Sequence, residues 1–333
     1  MKKVFQAILK YGVPLAIGVG LFYFLFHNLD LNQMKEILAR DVEYWWFVPV
    51  LIVSVLSHVF RGMRWKLQLD AMGIDTPTNA LVNSVFGTYA VNLVFPRLGE
   101  VWRSGYIANR QKAPFTKVFG SMVSERLCDT LTVLILLIIS MFLAGPAFEK
   151  FFSAYPQVQQ GIVGIATNPI VWGAVALCVA FLVWLFRSNS QNVVVVKVRT
   201  TVSNLWTGFS SVLQMERKWS FVGYTVLIWG CYFLELYLAA FAFSFTADLG
   251  FVAVLVLFVL SSIGMGVPTN GGLGAWHLAI IFGLALYGVG TFDTGNLDTR
   301  ASAFAMVVWG FQQLIIITLG LYAFAYIAFE KKK

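Results

Sequence analysis

Three short clusters of ionisable residues sit next to apolar stretches of this chain, and their spacing points to capture of an anion. The first is Arg61-Gly62-Met63-Arg64-Trp65. Arg61 and Arg64 are one helical turn apart and share a face. Two guanidinium forks on one face can hold a phosphate bidentately, which an ammonium cannot. The plainer reading is a pair of loop arginines anchoring a helix end at lipid headgroups. The second cluster is Pro96-Arg97-Leu98-Gly99-Glu100-Val101-Trp102-Arg103. Here Arg97 and Arg103 could face an anionic headgroup, Glu100 could orient one of them or exchange a proton, and Gly99 would let backbone N–H groups approach a phosphate. A salt-bridged turn is the alternative. The third is Ser124-Glu125-Arg126-Leu127-Cys128-Asp129, where Glu125 and Asp129 are four apart on one face with Arg126 beside them. Charges so close within an apolar helix are expected to face the protein interior and pair with the arginines of the other clusters, as a network, a site, or both.

Other polar groups are more isolated. Glu235 lies near the middle of an apolar segment, where a carboxyl is a candidate for coupling to protons or a hydrogen-bonded structural acid. His27 and His58 read as interfacial, His277 as a residue that can reach a cavity, and Gln312 and Gln313 as interhelical hydrogen-bonding groups. Cys128, Cys178 and Cys231 all fall in apolar segments, which predicts packing roles with neither a disulfide framework nor metal-ligand spacing. There is no P-loop, HExxH, paired-cysteine or GxSxG motif, so no nucleotide hydrolysis through a P-loop, no metal and no cofactor are expected.

The elements that must position these groups are membrane helices. The 333 residues are 59% hydrophobic and only 12% charged, with a mean hydropathy of +0.75. A soluble domain carries about 25% charged residues, so too little charge is present to cover one. Six full spans are expected, at about 8–27, 45–61, 118–144, 169–186, 220–244 and 301–328. Met1-Lys2-Lys3 ahead of the first reads as the start of a retained signal-anchor helix. The net charge of +8 does not indicate nucleic acid, because 19 of the 24 basic residues fall in segments on one side of the expected spans. That bias predicts both termini in the cytoplasm.

Two further apolar segments, about 80–112 and 251–290, are interrupted at their middles by Pro96-Arg97-Leu98-Gly99 and by Pro268-Thr269-Asn270-Gly271-Gly272-Leu273-Gly274. Proline removes an N–H and glycine favours irregular backbone. Backbone released in this way within a bilayer must be buried in protein or line a wet cavity, and paired interruptions mark transporter-type midplane sites. Charge and parity make the first segment a hairpin entering from the cytoplasm. The second starts and ends outside, as a re-entrant hairpin or two full helices, so the two form a candidate inverted repeat. The cavity-lining breaks are then Asn92, Pro96, Gly99, Pro268, Asn270, Gly271, Gly272, Gly274 and His277. The stretch 187–219 reads as a cytoplasmic amphipathic segment, with Val202, Leu205, Trp206, Phe209, Val212 and Leu213 on one face. Small residues such as Gly283 and Ala285 permit helix association and a possible homo-oligomer.

Taken together, Arg61-Gly-Met-Arg64-Trp65, Asn92-Leu-Val-Phe-Pro96-Arg97-Leu-Gly99-Glu100-Val-Trp-Arg103, Glu125-Arg126-Leu-Cys-Asp129 and Pro268-Thr-Asn-Gly271-Gly272-Leu-Gly274 resemble, in order, the membrane region of the lysylphosphatidylglycerol synthases, also called flippase-like integral membrane proteins. Two-domain members of that family aminoacylate a phospholipid in a cytosolic domain and move it with the membrane region. The resemblance implies a stand-alone membrane part without the catalytic domain. His277 stands where an acidic residue is expected in many relatives. The combined expectation is an all-α integral membrane protein, a single polytopic domain over 1–333, in the inner (cytoplasmic) membrane. It would move an anionic phospholipid or polyprenyl-phosphate-linked lipid between leaflets. Arg61, Arg64, Arg97 and Arg103 would hold the headgroup, and Glu100, Glu125, Arg126, Asp129 and Glu235 would form the charge network. An intramembrane lipid-modifying enzyme, using Glu100 or Asp129 as a base, and an accessory subunit with a partner in envelope assembly are the rival expectations.

Overall fold

Four helices are long and apolar enough to cross a membrane: Tyr44–Ala71, Phe115–Leu143, Lys218–Phe241 and Thr299–Glu330. The structure, a computed structural model, describes residues 30–95, 97–154, 167–187, 195–203, 215–267, 269–291 and 297–330 continuously, with scattered residues within 19–27 and 156–164 and the single residues 192 and 206. In chain order the helices are α1 (Leu31–Arg40), α2 (Phe47–Ala71), α3 (Thr78–Val94), α4 (Leu98–Arg110), α5 (Phe115–Leu143), α6 (Gly145–Ala154), α7 (Pro169–Arg187), α8 (Lys218–Phe241), α9 (Phe251–Gly264), α10 (Ala275–Leu286) and α11 (Thr299–Glu330). Among the described residues the only strand-like pairing is the isolated bridge between Val42 and Phe243. The protein is an all-helical integral membrane protein.

The expected spans at 118–144, 169–186, 220–244 and 301–328 coincide with α5, α7, α8 and α11. The expected span 8–27 falls largely outside the described residues, as do Pro96, Pro268, Leu205, Phe209, Val212, Leu213 and Lys331–Lys333. One boundary is corrected. The helix predicted to end at Arg61 runs on to Ala71, so Arg61 and Arg64 belong to its interior, not to a loop. It need not stop at these charges because carboxylates of α5 neutralise them inside the protein.

The two interrupted segments enter from opposite ends of the bundle. Both feet of the α3–α4 hairpin lie beside the C-terminal end of α11. Asn79 donates to the Tyr326 hydroxyl at 2.6 Å, and Arg110 grips Glu330 at 2.5 and 2.8 Å. The α9–α10 feet lie at the other end, where Val252, Leu286 and Tyr287 pack with Ala144 and Phe148. That end also holds Phe243 against Phe304 near the start of α11. Helices of 14 and 12 residues reach only about 21 and 18 Å at about 1.5 Å per residue, against about 30 Å of hydrocarbon. Neither limb alone reaches across that thickness, and the two pack side by side, with Gly283 of α10 against Leu257 of α9.

The tips interlock mid-bundle. Asn270 donates to the carbonyls of Leu93 and Val94 at 2.9 and 3.3 Å, and Arg97 donates to the Gly266 carbonyl at 2.7 Å. Trp309, within α11, donates to the Gly271 carbonyl at 2.7 Å. Backbone oxygens freed by the interruptions are thus met by side chains, although Val94, Arg97 and Gly266 themselves lie exposed at the tips. Glycine is demanded where the limbs approach: a Cβ on Gly99 would lie 2.1 Å from the Thr88 carbonyl oxygen. Gly272 has φ of 77° and would place a Cβ 2.3 Å from the Met265 sulfur. Gly283 packs inward against Leu257 of α9, so it is part of the intramolecular hairpin packing rather than an outward association face.

Candidate functional site

The three clusters of the sequence converge on one buried ion network. Arg61 and Arg64 come from adjacent turns of α2, Arg103 from α4, and Glu125, Arg126 and Asp129 from α5. Arg61 Nε donates to Glu125 Oε1 at 2.8 Å, and its terminal nitrogen pairs with Asp129. Arg64 reaches Asp129 Oδ1 at 2.7 Å and Glu125 Oε1 at 3.4 Å. Arg103 donates to Glu125 Oε2 at 3.0 Å, and Arg126 contacts Glu125 at 3.0 Å and Asp129 at 3.2 Å. Around them Trp65 lies under the Arg103 guanidinium at 4.3 Å, and Phe221 lies 5.3 Å from that of Arg64. Trp65 is itself fixed by a 2.9 Å bond to Ser121.

Four guanidiniums thus share two carboxylates, leaving the network positive by two charges. The Nε atoms of Arg64, Arg103 and Arg126 are buried and unpartnered. Uncompensated charge away from water is costly, so the arrangement favours an added anion.

A cavity of about 340 Å³ opens beside the network. One part of its wall carries Arg61, Arg126, Asp129 and His58, with Tyr89 and Tyr232. Arg61 donates to the Tyr232 hydroxyl at 3.0 Å, and the two tyrosine hydroxyls are 3.2 Å apart. The first break supplies Asn92, Arg97 and Glu100, and the second supplies Thr269, Gly271 and Gly272. Glu235, Gln312, Gln313, Trp229, Trp276 and Trp309 complete the polar and aromatic wall. Gln312 donates to Glu235. The hollow therefore lies between the two interruptions and touches the ion network, where Arg126 is the one arginine with an unpartnered Nε that borders it. Arg64 and Arg103 act on an anion there only through their charge.

Several expected positions are reassigned. Arg64 and Arg103 do not line the cavity; they are fully buried behind it, because Glu125 and Asp129 occupy their forks. The cations in the wall are Arg61, Arg97 and Arg126. Glu100 orients no arginine among the described contacts; it accepts from Asn92 at 3.2 and 3.4 Å. Gly99 and Gly274 shape the breaks without lining the hollow, Gly99 as an N–H donor to Asn92 at 2.7 Å and Gly274 as the residue preceding α10. Asn270 is the clamp between the tips. His277 is enclosed by Phe22, Phe26, Trp276 and Trp309 rather than by the cavity. His58, read as interfacial, is buried mid-helix against Tyr89 and lines the hollow. Cys128 and Cys231 are unpaired.

Tyr89, Tyr232, Trp229, Trp276 and Trp309 also line the hollow, and the sequence carries no signal for them. An aromatic in an apolar span reads the same whether it faces lipid or a cavity, and only the adjacent amides Gln312 and Gln313 hint at a wet face nearby.

The family model described as "Lysylphosphatidylglycerol synthase TM region" matches residues 12–320. The chain is also similar to a curated protein, "Glycosyltransferase AglD" of Haloferax volcanii, with 31% identity over 106 residues, 32% of this chain. That match spans only 17% of the relative's length. No solved structure matches the chain.

Proposed function

The chain belongs to the family of the lysylphosphatidylglycerol synthase transmembrane region, and from that premise we propose that it carries an anionic lipid headgroup between the leaflets of the cell membrane. The observation that carries this reading is the cavity between two oppositely entering hairpin tips, bordered by a network with more guanidiniums than carboxylates. The cargo is an anionic phospholipid or a polyprenyl-phosphate-linked lipid. Arg61, Arg97 and Arg126 contact the headgroup. Arg64 and Arg103, held by Glu125 and Asp129, position those contacts and contribute long-range positive potential.

The cytoplasm is assigned to the end carrying Arg110 and the end of α11, from the concentration of basic residues there. Transport in this reading is driven by an ion gradient or by the lipid's own gradient. Hairpins that meet at a shared hollow are suited to exposing it alternately to each face.

The test is a leaflet-accessibility assay on proteoliposomes containing a fluorescent anionic phospholipid or a labelled polyprenyl phosphate. Accelerated equilibration between leaflets is expected, slowed about tenfold by Arg97→Ala. Unchanged leaflet distribution of both lipids, with and without a proton gradient, refutes the proposal.

Similarity to a glycosyltransferase favours a second reading, an intramembrane transferase acting on a lipid diphosphate. Of its candidate bases, Asp129 has both oxygens occupied by guanidiniums, and Glu100 lines the cavity and accepts from Asn92. The excess of guanidiniums over carboxylates favours transport as the better account. A chemically altered lipid recovered from the same vesicles would reverse that preference.

A further inference from the structure

Resting on the anion-carrying reading, we infer that the headgroup accommodated here is a glycosyl phosphate: phosphate against the guanidinium wall, and a sugar against the wall built by α8, α11 and the second hairpin tip. The cavity has two chemically distinct regions. The part around Arg61 and Arg126 is cationic. The remainder carries one cation, Arg97, whose guanidinium is engaged by the Gly266 carbonyl at the second tip, and otherwise combines indole rings with amide, hydroxyl and carboxyl groups.

Four lining residues there hold buried polar atoms without a partner: Trp229 Nε1, Thr269 Oγ1, Gln313 Oε1 and Glu235 Oε1. This set identifies the ligand class by its hydrogen-bonding sense. The indole N–H can only donate, the amide oxygen can only accept, and the threonine hydroxyl can do both. An ammonium group donates only, so it would pair with Glu235 and Gln313 and leave Trp229 unsatisfied. A phosphate accepts only, so it would leave the Gln313 carbonyl oxygen without a donor. Hydroxyl groups donate and accept at once, and adjacent hydroxyls on one ring satisfy such a mixed set together. The flat faces of Trp276 and Trp309 add the apolar surface that a pyranose ring, with its C–H face, packs against. At about 340 Å³ the hollow falls within the range of small-molecule sites, about 300–1,000 Å³.

The geometry also separates the two ends. Glu235, with its partner Gln312, lies one turn of α8 beyond Tyr232, a rise of about 4.5 Å, and Tyr232 bonds Arg61. Trp229, by contrast, lies one turn before Tyr232 and borders the cationic part. A sugar linked directly to a phosphate spans such an interval without an intervening chain.

The experiment uses the purified full chain in nanodiscs and titrates four defined lipids by native mass spectrometry: a polyprenyl phosphate, the same lipid bearing one hexose, phosphatidylglycerol and phosphatidylethanolamine. The hexosyl lipid is expected to bind at least about tenfold more tightly than the bare polyprenyl phosphate. Thr269→Val and Gln313→Met keep the shape but remove a hydrogen-bonding group, and each is expected to cut that preference about two- to tenfold. Equal affinity for the hexosyl and bare forms overturns the sugar assignment and leaves the anion reading standing. Preference for phosphatidylethanolamine overturns it in favour of an ammonium ligand. Failure of all three anionic lipids to bind overturns the anion reading itself. The comparison among lipids needs only the unaltered protein, so it decides the matter even if a variant does not fold.

Discussion

Removing one acid from the buried network should cost far more than removing one of its bases. Glu125 is fully buried and receives Arg61 at 2.8 Å, Arg103 at 3.0 Å and Arg126 at 3.0 Å, with Arg64 at 3.4 Å. Glu125→Gln preserves the shape but raises the excess charge from two to three and turns an amide N–H₂ toward a guanidinium. Breaking a buried pair from one side costs about 3–5 kcal/mol, and the larger end applies where four cations share the acid. Arg103→Met, by contrast, lowers the excess to one and leaves Glu125 paired by three arginines. It loses one charge-assisted hydrogen bond, about 1.5–3 kcal/mol, and the stacking on Trp65, but relief of repulsion offsets part of this. A net cost below about 2 kcal/mol is expected on those principles. Equilibrium unfolding in mixed micelles of dodecyl maltoside and dodecyl sulfate, followed by tryptophan fluorescence, measures both. If Arg103→Met proves as damaging as Glu125→Gln, the network is not over-positive in the folded protein. The network then holds no excess charge with which to attract an anion.

Two further substitutions test the packing and the turns. Gly99→Ala would drive a Cβ to 2.1 Å from the Thr88 carbonyl oxygen, which backbone cannot yield cheaply. It should cost at least about 2–3 kcal/mol in the same unfolding assay, and a neutral result would contradict the close packing of α3 on α4. Lys112 closes α4 at φ 49°, with Ala113 N donating to Ala108 O at 2.9 Å, the left-handed cap that glycine prefers. Lys112→Gly is therefore expected to stabilise the protein by about 0.5–1 kcal/mol, and a destabilised variant would refute that account of the cap.

What could be read from the amino-acid order alone was the class and the punctuation. Low charge and long apolar runs dictate membrane helices, because a bilayer tolerates backbone only when its hydrogen bonds close locally. The paired breaks at 96–99 and 268–274 follow from proline and glycine, and the hairpins found at Thr78–Arg110 and Phe251–Leu286 lie where those breaks placed them. Spacing also put Glu125 and Asp129 on one helix face and predicted pairing with the arginines of the other two clusters, which Arg61, Arg64 and Arg103 make, whereas Arg97 bonds the Gly266 carbonyl instead.

Only the tertiary arrangement decided which of these charges meet the hollow. The difference between Arg61, which lines it, and Arg64, which is sealed behind Asp129, is a rotation of one helical turn against α5. No local pattern encodes that rotation, because it depends on how three separate helices pack. The same holds for the aromatic and amide wall. Trp309 and Gln313 are one turn apart on α11, but Trp229 shares a wall with them only when α8, α11 and the second hairpin tip assemble. Apolar and charged residue types thus determine that helices insert and where they break, whereas the three-dimensional packing of those helices determines which faces enclose a ligand.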